Sequence, residues 1–163
     1  MLQYRFIQRR NRMKLLLVDD DDNVRNNMEY FLNELNLGCE IESCLFDNVN
    51  DTEENIQQQM ASLNVTDYLL IDLFLGGQSE SRTPYRDLKS VKMVLNLDIP
   101  KNHVIFYSNG NEREPNALFK IVSGCKYIPI TAAALDRTHE KDYCKYVNRR
   151  NSIADKIRKF LSD

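Results

Sequence analysis

Apolar and polar residues follow two periods along this chain, and the switches between them outline its elements. Leu15-Leu16-Leu17-Val18 is an unbroken apolar run, the pattern of a strand buried on both faces. Val24, Met28, Phe31, Leu32 and Leu35 then recur at helical spacing, with Gly38 as the stop. Residues 39–45 alternate as a strand does, and Asp51-Thr52 opens a second helix carrying Ile56, Met60 and Leu63. Tyr68-Leu69-Leu70-Ile71-Asp72 is another apolar run, closed by an acid. Gly76 to Thr83 is small and polar and reads as a loop; Pro84 suits the first turn of a helix with Leu88, Val91, Met93 or Val94, and Leu95. His103 to Tyr107 is a short strand ended by Ser108 and the turn pair Asn109-Gly110. Pro115 starts a helix with Leu118, Ile121 and Val122 that Gly124 terminates, and Tyr127 to Ile130 is the last strand. The stripe Tyr143, Tyr146, Val147, Ile153, Ile157, Phe160 and Leu161 marks one long closing helix, or two short ones broken near Asn148 to Asn151.

Strand alternates with helix five times. That order predicts an α/β fold of the flavodoxin-like kind: a doubly wound five-stranded parallel sheet, (βα)5, with helices on both faces. The chain of 163 residues suffices for one sizeable core, and residues 14–163 read as a single domain behind a basic N-terminal tail, 1–13. Arg5, Arg9, Arg10, Arg12 and Lys14 occur there with no acid among them. Hydrophobic residues at 42% and charged ones at 28% are ordinary globular values, and a net charge of −2 gives no general attraction to nucleic acid or anionic lipid. No stretch has the length of a membrane span. Cys39, Cys44, Cys125 and Cys144 form no CxxC pair and no zinc spacing, which fits a reduced cytoplasmic protein with inert thiols.

The densest chemistry is Asp19 to Asp22, four consecutive aspartates directly after the first apolar run. Asp21, Asp22 and Asn23 suit the cap and start of a helix. Asp19 and Asp20 come too early for that role. In a doubly wound sheet the carboxyl ends of strands one, three and four lie side by side at the edge where ligands bind. Asp19, Asp20, Asp72 and Ser108 would therefore share one rim. Carboxylates crowded there repel one another unless a hard cation such as Mg²⁺ is shared between them. A carboxylate beside that ion can attack phosphorus, because the cation offsets the repulsion between two anions.

These residues resemble the receiver domain of two-component response regulators, over roughly residues 14 to 131. KLLLVDDDDNVR is similar to that family's first strand and acidic pair, DYLLIDLFL to the phosphoacceptor strand, HVIFYSN to the strand ending in a hydroxyl residue, and GCKYIPIT to the last strand. The resemblance implies a phosphorelay phosphoprotein in which Asp72 is the phosphoacceptor. It implies that Asp20, Asp72 and the backbone carbonyl of Phe74 hold Mg²⁺, with Asp19 acting directly or through water. Ser108 would sense the phosphoryl group with Tyr127 as its switch partner; a half-buried strand residue is the plainer reading of Tyr127. The donor would be a histidine kinase or phosphotransfer protein, and the output a downstream protein met by the face of the fourth helix, last strand and fifth helix. Nucleic acid and membrane are not expected partners, and a monomer or weak homodimer through Tyr143 and Tyr146 is.

The chain also departs from that pattern. The family's last strand ends in a lysine that pairs with the phosphoryl oxygens; Ile130 occupies its position and Thr131 that of the following proline. Lys126 starts about 13 Å back along the strand, beyond the reach of a lysine stem. Arg82 or Arg86 in the long loop after Asp72 is a replacement cation or a solvated loop residue. Thr131 to Glu140 is an apparent insertion. Two alternatives therefore stand beside the phosphoacceptor reading: a degenerate receiver that docks proteins constitutively, and a haloacid-dehalogenase-like phosphatase with its DxD at Asp19 and Asp21.

Overall fold

The computed structural model describes residues 12–47, 52–78, 83–108, 115–130, 135 and 143–162, with side chains in the last segment from Val147 onward. Residues 1–11 of the basic tail, Asn109-Gly110, Arg82, and Thr131 with most of the apparent insertion lie outside the described residues.

Five strands, β1 (Lys14–Asp19), β2 (Glu40–Leu45), β3 (Tyr68–Asp72), β4 (Val104–Ser108) and β5 (Lys126–Pro129), form one sheet in the order β2-β1-β3-β4-β5. Every pairing is parallel. The order reverses beside β1: β2 lies on one side of it and β3 on the other, so the edge between β1 and β3 is the switch point where such sheets take ligands. The register aligns Val18 with Ile71 and Asp72 with Tyr107, which brings the ends of β1, β3 and β4 level.

The helices are α1 (Asp22–Glu34), α2 (Glu53–Ala61), α3 (Lys89–Leu95), α4 (Asn116–Ile121) and α5 (Tyr143–Ser162). Strand residues alternate between two cores. Leu16, Val18, Leu69, Ile71, Val104 and Phe106 pack with Ile56, Met60, Val91, Val94 and Leu118 of α2, α3 and α4. Leu15, Leu17, Leu70, Ile105, Tyr107, Ile128 and Ile130 pack with Met28, Phe31 and Leu32 of α1 and Ile153 and Ile157 of α5. Burial on both faces is why the strands carry apolar runs and not alternation.

Two elements differ from the sequence reading, and a third takes the first of the two forms it allowed. The α1 helix ends at Glu34, and Asn36 takes the left-handed backbone at φ 53° ahead of Gly38, which takes it too at φ 72°. Asn tolerates that conformation by bonding locally, so the helix stops early. The segment after Pro84 does not run as one helix. It makes a single 3₁₀ turn at Tyr85–Asp87, then Leu88 goes extended before α3 begins, and Leu95 is left exposed. The closing helix is one continuous element of 20 residues with no break at Asn148 to Asn151.

Candidate functional site

Each acidic side chain at the switch point is set by the element that ends there. The buried run of β1 delivers Asp19, itself buried, to the sheet edge, and Asp20 follows in a bend. Asp21 is committed elsewhere: its carboxylate accepts the N–H groups of Asn23 at 3.0 Å and Val24 at 3.1 Å and caps α1. Asp22 pairs with Arg25 at 2.8 Å. The run of four aspartates thus divides into two site residues and two helix-start residues. Asp72 ends β3 directly alongside.

Asp19, Asp20 and Asp72 each offer a carboxylate oxygen, and these oxygens lie within 4.8 Å of one another. A backbone N–H steers every one of the three. Asp21 N donates to Asp19 Oδ1 at 2.8 Å, Gly76 N to Asp20 Oδ2 at 3.0 Å, and Phe74 N to Asp72 Oδ1 at 3.1 Å. Gly76 meets Asp20 because the 3₁₀ turn Leu75–Gly77 folds back over the strand ends, which needs the positive φ of 69° at that glycine.

Among the described residues none of the three carboxylates has an ion pair. Burial and mutual repulsion therefore act almost unopposed. Burial pushes the Asp19 carboxyl up to about 6 against the pull of its Tyr107 and Asp21 hydrogen bonds. Asp72 is raised to about 8, first by burial and then by the charge of Asp19. A site of this kind holds protons at neutral pH until a cation replaces them. The donor set fits a hard divalent ion: three carboxylate oxygens, oriented in advance and uncompensated by lysine or arginine.

Sequence reasoning missed two residues here. Tyr107, the penultimate residue of β4, donates its hydroxyl to Asp19 Oδ2, and it is almost completely buried. Burial and the neighbouring acids hold its phenol well above the ordinary value, so it stays a donor. A tyrosine inside an apolar run gives no sign of pairing with an acid 88 positions away. Lys89, at the start of α3, lies beside the same loop. Its Nζ stands 5.3 Å from the centre of the Phe46 ring, and 3.8 Å from where a side chain on Gly76 would begin.

Ser108 and Tyr127 meet. Their hydroxyls share a hydrogen bond on the α2, α3 and α4 side of the sheet, whereas Asp19 and Tyr107 belong to the opposite face. Ile130 is 3% exposed and packs in the same apolar core as Tyr107. Lys126 points away as its spacing required: its Nζ donates to Phe160 O at 3.2 Å and lies over the Phe160 ring. Arg86 sits in the 3₁₀ turn before α3.

No known family's sequence profile matches the chain, and no curated protein does. Solved structures match instead. A response regulator receiver domain from Rhodospirillum rubrum is 14% identical, covering 87% of this chain and 91% of its own length at a TM-score of 0.50. A response regulator receiver protein from Burkholderia phymatum is 11% identical over 84% of this chain and 96% of its own, at a TM-score of 0.44. A fusion chain carrying a yeast trimeric coiled-coil segment is 19% identical over 88% of this chain and 81% of its own, at 0.47. The first of these establishes a receiver-like, flavodoxin-type α/β fold. No helix among the described residues is long and apolar enough to cross a membrane.

Proposed function

We propose that this chain is a receiver-like signalling domain that accepts a phosphoryl group on Asp72 with Mg²⁺ held beside it, and that the modification changes its protein contacts. The observation that carries this reading is the convergence of Asp19, Asp20 and Asp72 at the switch point of a receiver-like sheet. Asp20, Asp72 and the backbone carbonyl of Phe74 would hold the ion, with Asp19 directly or through water. When bound, Mg²⁺ supplies the positive charge that lets a carboxylate approach a phosphoryl dianion.

The chain's own residues do the rest. The Phe74 N–H fixes one oxygen of Asp72. A carboxylate oxygen of Asp72 forms the new bond to phosphorus as the bond to the donor breaks; with a phosphohistidine donor, the departing nitrogen takes up a proton. Ser108 is the switch residue in this reading. By donating to a phosphoryl oxygen its hydroxyl would become an acceptor towards Tyr127 or release it, and either change bears on that ring. The output surface is then the one built from α4, β5 and α5, and the partners are a histidine kinase or phosphotransfer protein upstream and another protein downstream.

A second reading has its own observation. Ile130 is buried in the apolar core and no described cation pairs with the acids, so a phosphoryl group would lack the usual charge-assisted bond, worth about 1.5–3 kcal/mol. That favours a degenerate receiver acting as a constitutive docking module. The phosphatase alternative loses ground, because the second aspartate of its DxD, Asp21, is occupied as a helix cap.

Intact mass after incubation with a small-molecule phosphodonor and Mg²⁺ decides between them. The phosphoacceptor reading requires a gain of one phosphoryl group in the wild type and none in Asp72→Asn. An unchanged wild-type mass across donors and pH sinks it in favour of the docking module.

A further inference from the structure

From the Tyr107–Asp19 contact we infer that Tyr107 is a positioning residue that holds Asp19 through a neutral donor, leaving the acidic site its full negative charge for a divalent cation. This rests on the cation-binding part of the reading above.

Three features of the site carry it. Both oxygens of Asp19 are engaged, one by the Asp21 N–H and the other by the Tyr107 hydroxyl, so the carboxylate has a single orientation. Tyr107 is itself locked: it is 3% exposed, its ring lies in the apolar core with Ile105, Ile128 and Ile130, and its hydroxyl also approaches Val18 O at 3.4 Å. Thirdly, Ile130, directly after β5, is buried in the same apolar core as Tyr107, so an aliphatic side chain and not a cation follows the strand next to β4.

A phenol and an ammonium both donate a hydrogen bond to a carboxylate, but only the ammonium cancels a charge. A lysine there would neutralise one of three carboxylates and compete electrostatically with a divalent ion. Tyr107 orients Asp19 without that competition. Within this chain the consequence is a division of labour: Tyr107 contributes geometry, and Asp19, Asp20 and Asp72 contribute charge. Because Asp19 is the one carboxylate of the three that Tyr107 bonds among the described residues, its effect on the ion must pass through that carboxylate.

A double-mutant cycle on Mg²⁺ binding tests this, read by calorimetry at pH 8 and needing no phosphorylation. Tyr107→Phe keeps the ring and its packing and removes only the donor. It is expected to weaken Mg²⁺ binding about tenfold, the size of one hydrogen bond to a charged group. Asp19→Asn weakens it as well. If Tyr107 acts through Asp19, the double variant binds no more weakly than Asp19→Asn alone. Far- and near-ultraviolet circular dichroism confirms that each variant is folded; should Tyr107→Phe fail to fold, Tyr107→Leu, which also lacks a donor and is no larger, replaces it under the same criteria. Tyr107→Phe affinity within twofold of wild type, or costs that add across the cycle, overturns the inference and leaves the cation site standing. A wild type that shows no Mg²⁺ binding overturns the site itself, and the inference with it.

Discussion

The charge balance of this molecule is decided by individual side chains at one sheet edge. Asp19 at about 6 and Asp72 at about 8 both hold protons more tightly in the folded protein than a carboxyl does in an open chain, where the value is about 4. Between those values the folded state binds more protons than the unfolded one, so stability falls as pH rises. The contribution is complete below about pH 4 and is lost as pH climbs through 6 and then 8. Without divalent cations the melting temperature should drop between pH 5 and 8.5, and Asp72→Asn should remove most of the drop. A loss of about 1–3 kcal/mol corresponds to roughly 3–8 °C in a chain of this size. Saturating Mg²⁺ should reverse the trend, because the ion then replaces the protons. Melting curves at a series of pH values for wild type and Asp72→Asn make the measurement, and two parallel lines would disprove it.

At the scale of elements, the aspartate run shows one sequence feature serving two structures. Asp21 caps α1 through its side chain while its backbone N–H steers Asp19. Asp21→Ala therefore removes the cap and spares the steering bond. Its expected cost is about 0.5–2 kcal/mol of stability with Mg²⁺ affinity unchanged within about twofold, measured by denaturant unfolding and calorimetry. Large loss of metal binding without loss of stability would contradict that division. The same run explains what was legible in the chain. Apolar runs ending in acids announced β1 and β3 and their shared edge, because burial on both faces leaves no polar residue until the strand stops. Helical stripes located α1, α2 and α5 for the same reason. Helix ends were less legible: Asn36 takes a left-handed backbone two residues ahead of Gly38, and Leu88 looks like a core helix residue although it precedes the helix. The hydroxyl of Tyr107, the loop N–H of Gly76 and the position of Lys89 were hidden, since each depends on contacts that only the folded register creates.

The whole molecule keeps binding and stability at opposite edges of the sheet. The carboxyl edge gathers the repelling acids, while the amino edge carries a network whose polar groups are satisfied. Asp67 there is buried and accepts Lys14 N at 2.9 Å and Asn64 N at 2.7 Å, tying the starts of β1 and β3 together. His103 Nδ1 lies 3.0 Å from Asp67 O, and its ring stacks on Tyr68 at 4.2 Å. Tyr68 in turn donates to Leu161 O at 3.3 Å, which fastens the end of α5 to the same edge. Asp67→Ala would leave two backbone N–H groups without their acceptor, at a cost of about 1–3 kcal/mol for each one that water does not reach. The expected result is a clear loss in unfolding free energy with Mg²⁺ affinity and any phosphoryl uptake at Asp72 preserved below the melting temperature. The acidic site at the other edge touches none of these groups, so only their effect on the folded population can reach it. If Asp67→Ala instead changed Mg²⁺ affinity severalfold while the chain remained folded, the two edges would have to be coupled through the strands. The separation of a strained binding edge from a fully bonded structural edge would then be wrong.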